Sequence, residues 1–266
     1  MQRPLASGRE NFDPKGIEMK DLSGMSTLVV GASRGLGRGI ATAFAEYGAD
    51  VIAVARTAPA LTELAATHPG VRTEIADAAD EATAFRLIDQ HEPTILILVA
   101  GATPVMRELH RHTWETFSAN WNADVKIAFT WLREALTKPL RPDSRVIVVS
   151  SGAALNGSPL SGGYAGAKAT QRFIAQYAQS ESIRADLGIT VTTVMPRMTP
   201  FGEVGRQGVR AYAKLSGQSE DDYLQQLGAL ATAEFAGSAL VELVRSDPST
   251  TAPSYVLTGN GLQALA

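Results

Sequence analysis

The stretch that decides the fold is Val29-Val30-Gly31-Ala32-Ser33-Arg34-Gly35-Leu36-Gly37-Arg38-Gly39-Ile40. A β-prone run, Thr27-Leu28-Val29-Val30, precedes it, and an apolar run with helical patterning, Ile40-Ala41-Thr42-Ala43-Phe44-Ala45-Glu46-Tyr47, follows. Three glycines in the spacing G-x-x-x-G-x-G therefore fall between a strand and a helix. Gly31 allows a tight turn off the strand, Gly35 lets backbone approach a pyrophosphate, and Gly37 lets the helix pack close to the sheet. Free N–H groups at the helix start, with the positive end of its dipole, then face the diphosphate. A glycine-rich turn with no ligand carries the same spacing, so the rest of the chain has to decide.

Outward from this turn, strand and helix patterns alternate. Strands are predicted at 27–31, 50–55, 71–75, 94–99, 144–150, 189–194 and 254–257, and helices at 36–47, 59–67, 80–90, 112–137, 162–186 and 231–245. Short, mostly apolar strands separated by helices imply a parallel sheet buried on both faces. Right-handed crossovers then make the domain doubly wound and Rossmann-like, in the α/β class, with ligands beyond the carboxyl ends of the strands. One domain over residues 25–266 is expected, after a polar, proline- and glycine-bearing arm at 1–24. A long segment at 197–228, with Phe201, Val204, Tyr212, Leu215, Tyr223 and Leu224, reads as a substrate lid and suggests a mid-sized organic substrate.

The totals narrow the function. With 266 residues and 45% hydrophobic content the chain can build one large core. A net charge of −3 without a basic block argues against nucleic acid. The chain has no cysteine, which excludes thiolate metal sites and fits a cytoplasmic location. Its four histidines (His68, His91, His110 and His112) form no metal-binding pattern, and no metal is expected. No apolar run reaches membrane-spanning length, and no signal peptide is expected.

The second strand, Val51-Ile52-Ala53-Val54-Ala55-Arg56, bears on which dinucleotide fits. A free ribose 2′-OH is usually held by an acidic residue near the end of this strand. Here Ala55 and Arg56 stand there instead, and Arg34 lies on the same side. Two guanidiniums and no carboxylate suit a 2′-phosphate, favouring NADP(H) over NAD(H). Asp77, just after the third strand, could take the adenine amino group or act as an ordinary helix-capping Asp. Further on, Tyr164 and Lys168 are four apart on a predicted helix and share one face. A neighbouring ammonium favours the phenolate and draws a tyrosine toward acid/base work. Ser151, thirteen residues earlier at the end of the fifth strand, could hold a substrate oxygen. A pair of this kind on its own also suits a helix surface; its weight comes from the order of glycine turn, Ser, Tyr and Lys.

In this order of motifs the chain resembles the short-chain dehydrogenases/reductases, over about residues 19–260. The resemblance implies about seven strands in the order 3-2-1-4-5-6-7. It assigns acid/base work to Tyr164, ribose binding and pKa lowering to Lys168, and substrate orientation to Ser151. It places Gly31, Ser33, Arg34, Gly35, Leu36, Gly37, Arg56, Asp77, Ala100, Gly101, Tyr164, Lys168, Pro196 and Thr199 around an NADP(H) cofactor. Hydride would pass between nicotinamide and a small-molecule carbonyl or secondary alcohol. The excess of apolar residues over 112–137, from Trp114 to Leu136, suggests burial against another subunit, and the resemblance implies a homodimer or homotetramer.

Three departures stand out. Val30 takes the place of a frequent Thr, and Leu98-Val99-Ala100-Gly101 replaces Asn-Asn-Ala-Gly, so hydrogen bonds that steady the sheet there must come from elsewhere. With Phe117 and Phe129 aligned on the family's aromatic positions, Asp124 falls where a catalytic Asn usually helps hold a water on the lysine. Asn120 and Asn122 are the alternatives in a shifted register. A carboxylate at 124 could pair with Lys168. The rival to an oxidoreductase is a catalytically weak dinucleotide-binding sensor or scaffold, which would have no need of an activated tyrosine. An epimerase or dehydratase would need a larger C-terminal substrate domain.

Overall fold

The computed structural model describes residues 22–265. In chain order the first half runs β1 (Ser26–Val30), α1 (Gly35–Glu46), β2 (Asp50–Ala55), α2 (Ala58–Thr67), β3 (Arg72–Ile75), α3 (Glu81–His91) and β4 (Ile95–Leu98). The second half runs α4 (Trp114–Asn120), α5 (Lys126–Thr137), β5 (Arg145–Val149), α6 (Ala153–Asn156), α7 (Gly162–Arg184), β6 (Thr190–Pro196), α8 (Glu203–Ser216), α9 (Glu220–Gln226), α10 (Ala233–Arg245), β7 (Ser254–Thr258) and β8 (Gly261–Leu265). They form one sheet in the order β3-β2-β1-β4-β5-β6-β7-β8. Every neighbouring pair is parallel except β7–β8. The order reverses between β1 and β4, which opens a crevice at their carboxyl ends.

Alternation along the strands sends side chains to two cores. Val29, Val51, Ala53, Ile95 and Ile97 meet Phe44 of α1, Leu61 and Leu64 of α2, and Leu240 and Val241 of α10. Leu28, Val30, Ile52, Val54, Leu96 and Leu98 point the other way, onto Leu87 of α3, Trp131 of α5, and Ala175 and Ala178 of α7. Trp131 is fully buried, and its indole N–H donates to Ala78 O at 2.9 Å, so its polar edge is satisfied. Truncating such an anchor to alanine costs about 3–5 kcal/mol.

Two elements differ from the sequence expectation. An eighth strand, β8, closes the sheet as an antiparallel edge, joined to β7 by a two-residue turn at Gly259-Asn260. The helix expected over 112–137 starts at Trp114, capped by Thr113, and is interrupted by a π turn at Trp121–Val125. The long segment at 197–228 is built of α8 and α9. Tyr212 of α8 stacks on Tyr223 of α9, with ring centroids 6.2 Å apart, and hydrogen-bonds the Ser158 hydroxyl in the loop before α7. Of the arm expected at 1–24, residues 1–21 lie outside the described residues. Leu22 is buried in the core, with its N–H donating to Tyr47 O at 2.9 Å. Among the described residues no helix is long and apolar enough to cross a membrane.

Candidate active site

Gly31 leaves β1 with φ +105°, and a Cβ there would lie 2.6 Å from Ala100 N. A Cβ on Gly37 would lie 2.1 Å from Gly31 O, so α1 approaches the strand end as closely as it does only because both positions are bare. Gly35 takes φ +54°, with nothing within 4 Å of its virtual Cβ, and faces open space. Arg34 occupies the N-cap position of α1 without capping it through its side chain, and the first turn holds no acid. The N-terminal N–H groups are thereby left for an anionic ligand.

A cleft of ≈ 740 Å³ opens in front of this turn, across the carboxyl ends of β1, β2, β4 and β5. Every site residue expected from the sequence lines it except Ser151 and Pro196. Arg34 and Arg56 are both exposed at its rim. Arg34 is ion-paired with Glu203, at the start of α8. Among the described residues no carboxylate pairs with Arg56. Asp77 lines the cleft, but its carboxylate accepts from Ala79 N at 3.0 Å, while the N-cap of α3 is Asp80. Of the two readings of Asp77, helix capping therefore belongs to its neighbour. Ser151 Oγ accepts from Ala153 N at 3.2 Å, where α6 begins. The neighbouring Ser150 forms the wall, its hydroxyl donating to Lys168 O at 2.7 Å. Pro196 ends β6, and its carbonyl accepts from Gly152 N at 2.8 Å.

α7 carries Tyr164 and Lys168 on one face, and the ammonium lies 5.5 Å from the centroid of the tyrosine ring. Lys168 is buried, with Nζ donating to Gln171 Oε1 at 2.9 Å and lying 3.1 Å from Asp124 Oδ2. Burial is the largest single influence on Lys168 and opposes its charge. The Asp124 carboxylate and the Tyr164 oxygen together outweigh it, so the pKa is raised above the ordinary lysine value. Lys168 is therefore a cation at neutral pH. Asp124 itself is fully buried in the π turn. Its Oδ1 accepts from Ala102 N at 2.7 Å, and Asn120 Nδ2 donates to Ala102 O at 2.8 Å. These two bonds hold the loop after β4, where the sequence lacks the paired asparagines that would steady it. Asn120 sits in the same network, while Asn122 is exposed, so it is Asp124 that faces the lysine.

A family model described as short chain dehydrogenase matches residues 26–206, from β1 into α8. The chain belongs to the short-chain dehydrogenase family. Among relatives of this short-chain dehydrogenase, L-xylulose reductase of Mesocricetus auratus is 31% identical over 40% of the chain. Carbonyl reductase [NADPH] 2 of Sus scrofa is 30% identical over 41%. The chain spans less than half the length of these two relatives, 43% and 45%. A hydroxynaphthalene reductase-like protein of Metarhizium majus is 30% identical, covering 66% of this chain and 69% of its own. The structure of a short-chain dehydrogenase from Burkholderia cenocepacia in complex with NADP superposes with a TM-score of 0.74 at 22% identity, over 90% of this chain and 98% of that one. One from Mycobacterium avium gives 0.71 at 22%, over 92% and 85%. These two share the fold.

Three residues of this short-chain dehydrogenase's site escaped the sequence reading. Gln171 stands three places after Lys168, on the same helical face, and that spacing was the available signal. Glu203 meets Arg34 across 169 residues of chain, which no local pattern announces. Ser150 directly precedes Ser151, and nothing local marks which of the two hydroxyls lines the cleft.

Proposed function

We propose that this short-chain dehydrogenase is an NADP(H)-dependent oxidoreductase that interconverts a carbonyl compound and its secondary alcohol, with Tyr164 as the acid/base. The observation that carries this reading is a cationic, buried Lys168 beside Tyr164 in the same cleft as the uncapped glycine turn. The residues present fit a dinucleotide. Gly31, Ser33, Gly35, Leu36 and Gly37 would face its diphosphate at the α1 N-terminus, and Arg34 and Arg56 would grip a 2′-phosphate. Asp77, Ala100, Gly101 and Thr199 complete the wall along its length. When bound, the nicotinamide supplies or takes up the hydride.

The chain's own residues handle the proton. In reduction, the Tyr164 hydroxyl donates its proton to the carbonyl oxygen as the carbon accepts hydride, leaving a phenolate that the Lys168 cation stabilises. In oxidation the same phenolate takes the alcohol proton. Asp124 keeps the buried Lys168 charged. Ser151 is the hydroxyl assigned to orient the substrate oxygen, while Ser150 beside it is the one that lines the cleft. Phe201 and Val204 border the cleft from the lid side and suit a mid-sized organic substrate. The reductase names of the relatives, one of them specifying NADPH, support the direction and the cofactor. Trp114, Trp121 and Phe129 on the helices before β5, and Phe173 and Tyr177 on α7, are exposed apolar groups that a homo-oligomer would cover.

The test is a panel of ketoses, dicarbonyls and aryl ketones assayed for loss of reduced-nicotinamide absorbance with NADPH and with NADH. Turnover with NADPH exceeding that with NADH is expected. A protein that binds NADPH yet turns over no member of the panel would favour the sensor or scaffold reading.

A further inference from the structure

Lys168 holds three N–H donors at a buried position on the cleft wall. One goes to Gln171 Oε1 at 2.9 Å, and the Asp124 carboxylate draws the cation from 3.1 Å. Gln171 is itself buried, and its other end is engaged as well, with Nε2 donating to the main-chain oxygen of Asp124 at 2.8 Å. The ammonium can only donate and the carbonyl can only accept, so the amide has a single orientation that serves both. That carbonyl belongs to the π turn, where the regular helical ladder is loosened. A side chain of this protein thus joins the lysine to the helix across from it.

We propose that Gln171 is a positioning residue, whose amide ties Lys168 Nζ to the backbone of the π turn and fixes the ammonium between Asp124 and Tyr164. The proposal rests on the catalytic reading of Tyr164 and Lys168 and adds to it the group that sets their spacing. Without Oε1 the ammonium keeps only its contact with Asp124, is no longer fixed in place beside Tyr164, and presents less positive charge to the phenol. Among the described residues, the charged or titratable groups acting on Lys168 are Asp124, from the π turn, and Tyr164, on its own helix. Gln171, Asn120 and Ser150 are neutral.

The experiment is an ultraviolet titration of tyrosinate in the protein without cofactor, with Tyr164 identified as the signal lost in Tyr164→Phe. In Gln171→Met, which keeps length and loses both hydrogen bonds, the Tyr164 midpoint will move up relative to the wild type. Gln171→Leu repeats the measurement with a different shape should the Met variant not fold, and the same upward shift is expected. A residue that only fills space would lower stability and leave that midpoint where it is. An unmoved midpoint in a folded Met or Leu variant overturns the proposal. Turnover is read separately. A shifted midpoint in a protein that reduces no carbonyl upholds the positioning and removes only the catalytic reading.

Discussion

Replacing Asp124 by asparagine, the family's usual residue at this position, will damage the protein rather than restore it. Asp124 uses both oxygens: Oδ1 accepts from Ala102 N at 2.7 Å and Asn120 Nδ2 at 3.4 Å, and Oδ2 lies 3.1 Å from Lys168 Nζ. Asparagine has one acceptor oxygen and one NH₂ group. With its oxygen toward Ala102, the NH₂ faces an ammonium; flipped, it faces the Ala102 N–H. Either way two donors oppose each other, and a buried lysine loses its counter-charge. Removing one partner of a buried pair costs about 3–5 kcal/mol, a large share of the roughly 5–15 kcal/mol that holds a domain folded. At about 2–4 °C per kcal/mol for a chain of this size, Tm falls by roughly 6–20 °C. The pH dependence has a definite sign. In the wild type Lys168 has a raised pKa, with burial the largest influence but outweighed by Asp124 and Tyr164. Its contribution is therefore complete below the ordinary lysine value of 10.5 and lost only as pH rises through the higher folded value. In Asp124→Asn burial acts without the carboxylate, the lysine pKa falls, and the penalty is greatest below that lowered value. The stability gap between the two proteins therefore narrows as pH rises into the alkaline range. Urea unfolding across pH is the assay. A variant within about 1 kcal/mol of wild type at neutral pH, or a gap that does not change up to alkaline pH, would refute the reasoning.

Arg34→Ala combined with Arg56→Ala will weaken NADPH binding by about tenfold or more, roughly 1.4 kcal/mol, and leave NADH nearly unchanged; equal losses for both cofactors in a fluorescence titration would reject the 2′-phosphate assignment. Glu203→Gln frees Arg34 from its ion pair and will tighten NADPH binding at low ionic strength, with the gain fading as salt is added. Light scattering at micromolar concentration will show a dimer or tetramer, and Phe129→Glu or Phe173→Glu, at half- or more-exposed positions, will shift it toward monomer; a monomeric wild type would contradict the covered-face reading.

Much of the fold was legible because burial on both faces leaves unbroken apolar runs. Leu28–Val30 and Ile95–Leu98 read as strands and are strands at those places. The glycine turn was legible because Gly31 and Gly37 stand where a Cβ would strike backbone. The π turn was not, since inserting one residue into a helix changes hydrogen bonding without any composition that marks it. It turns Asp124 inward next to Asn120, so one of the two alternatives in helix register shares its network while Asn122 is exposed. β8 escaped because Gly261–Leu265 is a short, half-exposed edge strand with little apolar signal, although Gly259-Asn260 is a turn dipeptide. Tyr164 and Lys168 stood out by their order after the glycine turn and Ser151, and they lie on one face of α7. Glu203 and the place of Ser150 on the cleft wall depend on where separate segments meet, which spacing along the chain does not encode.

The central claim is that Tyr164 moves the proton. Tyr164→Phe removes one hydroxyl and leaves the ring to pack, so its turnover with any accepted carbonyl measures that claim most directly. Turnover will fall by about 10²-fold or more, the usual scale for a general acid/base, while NADPH affinity measured by fluorescence titration stays close to wild type. A Tyr164→Phe protein that turns over as fast as the wild type would contradict the account.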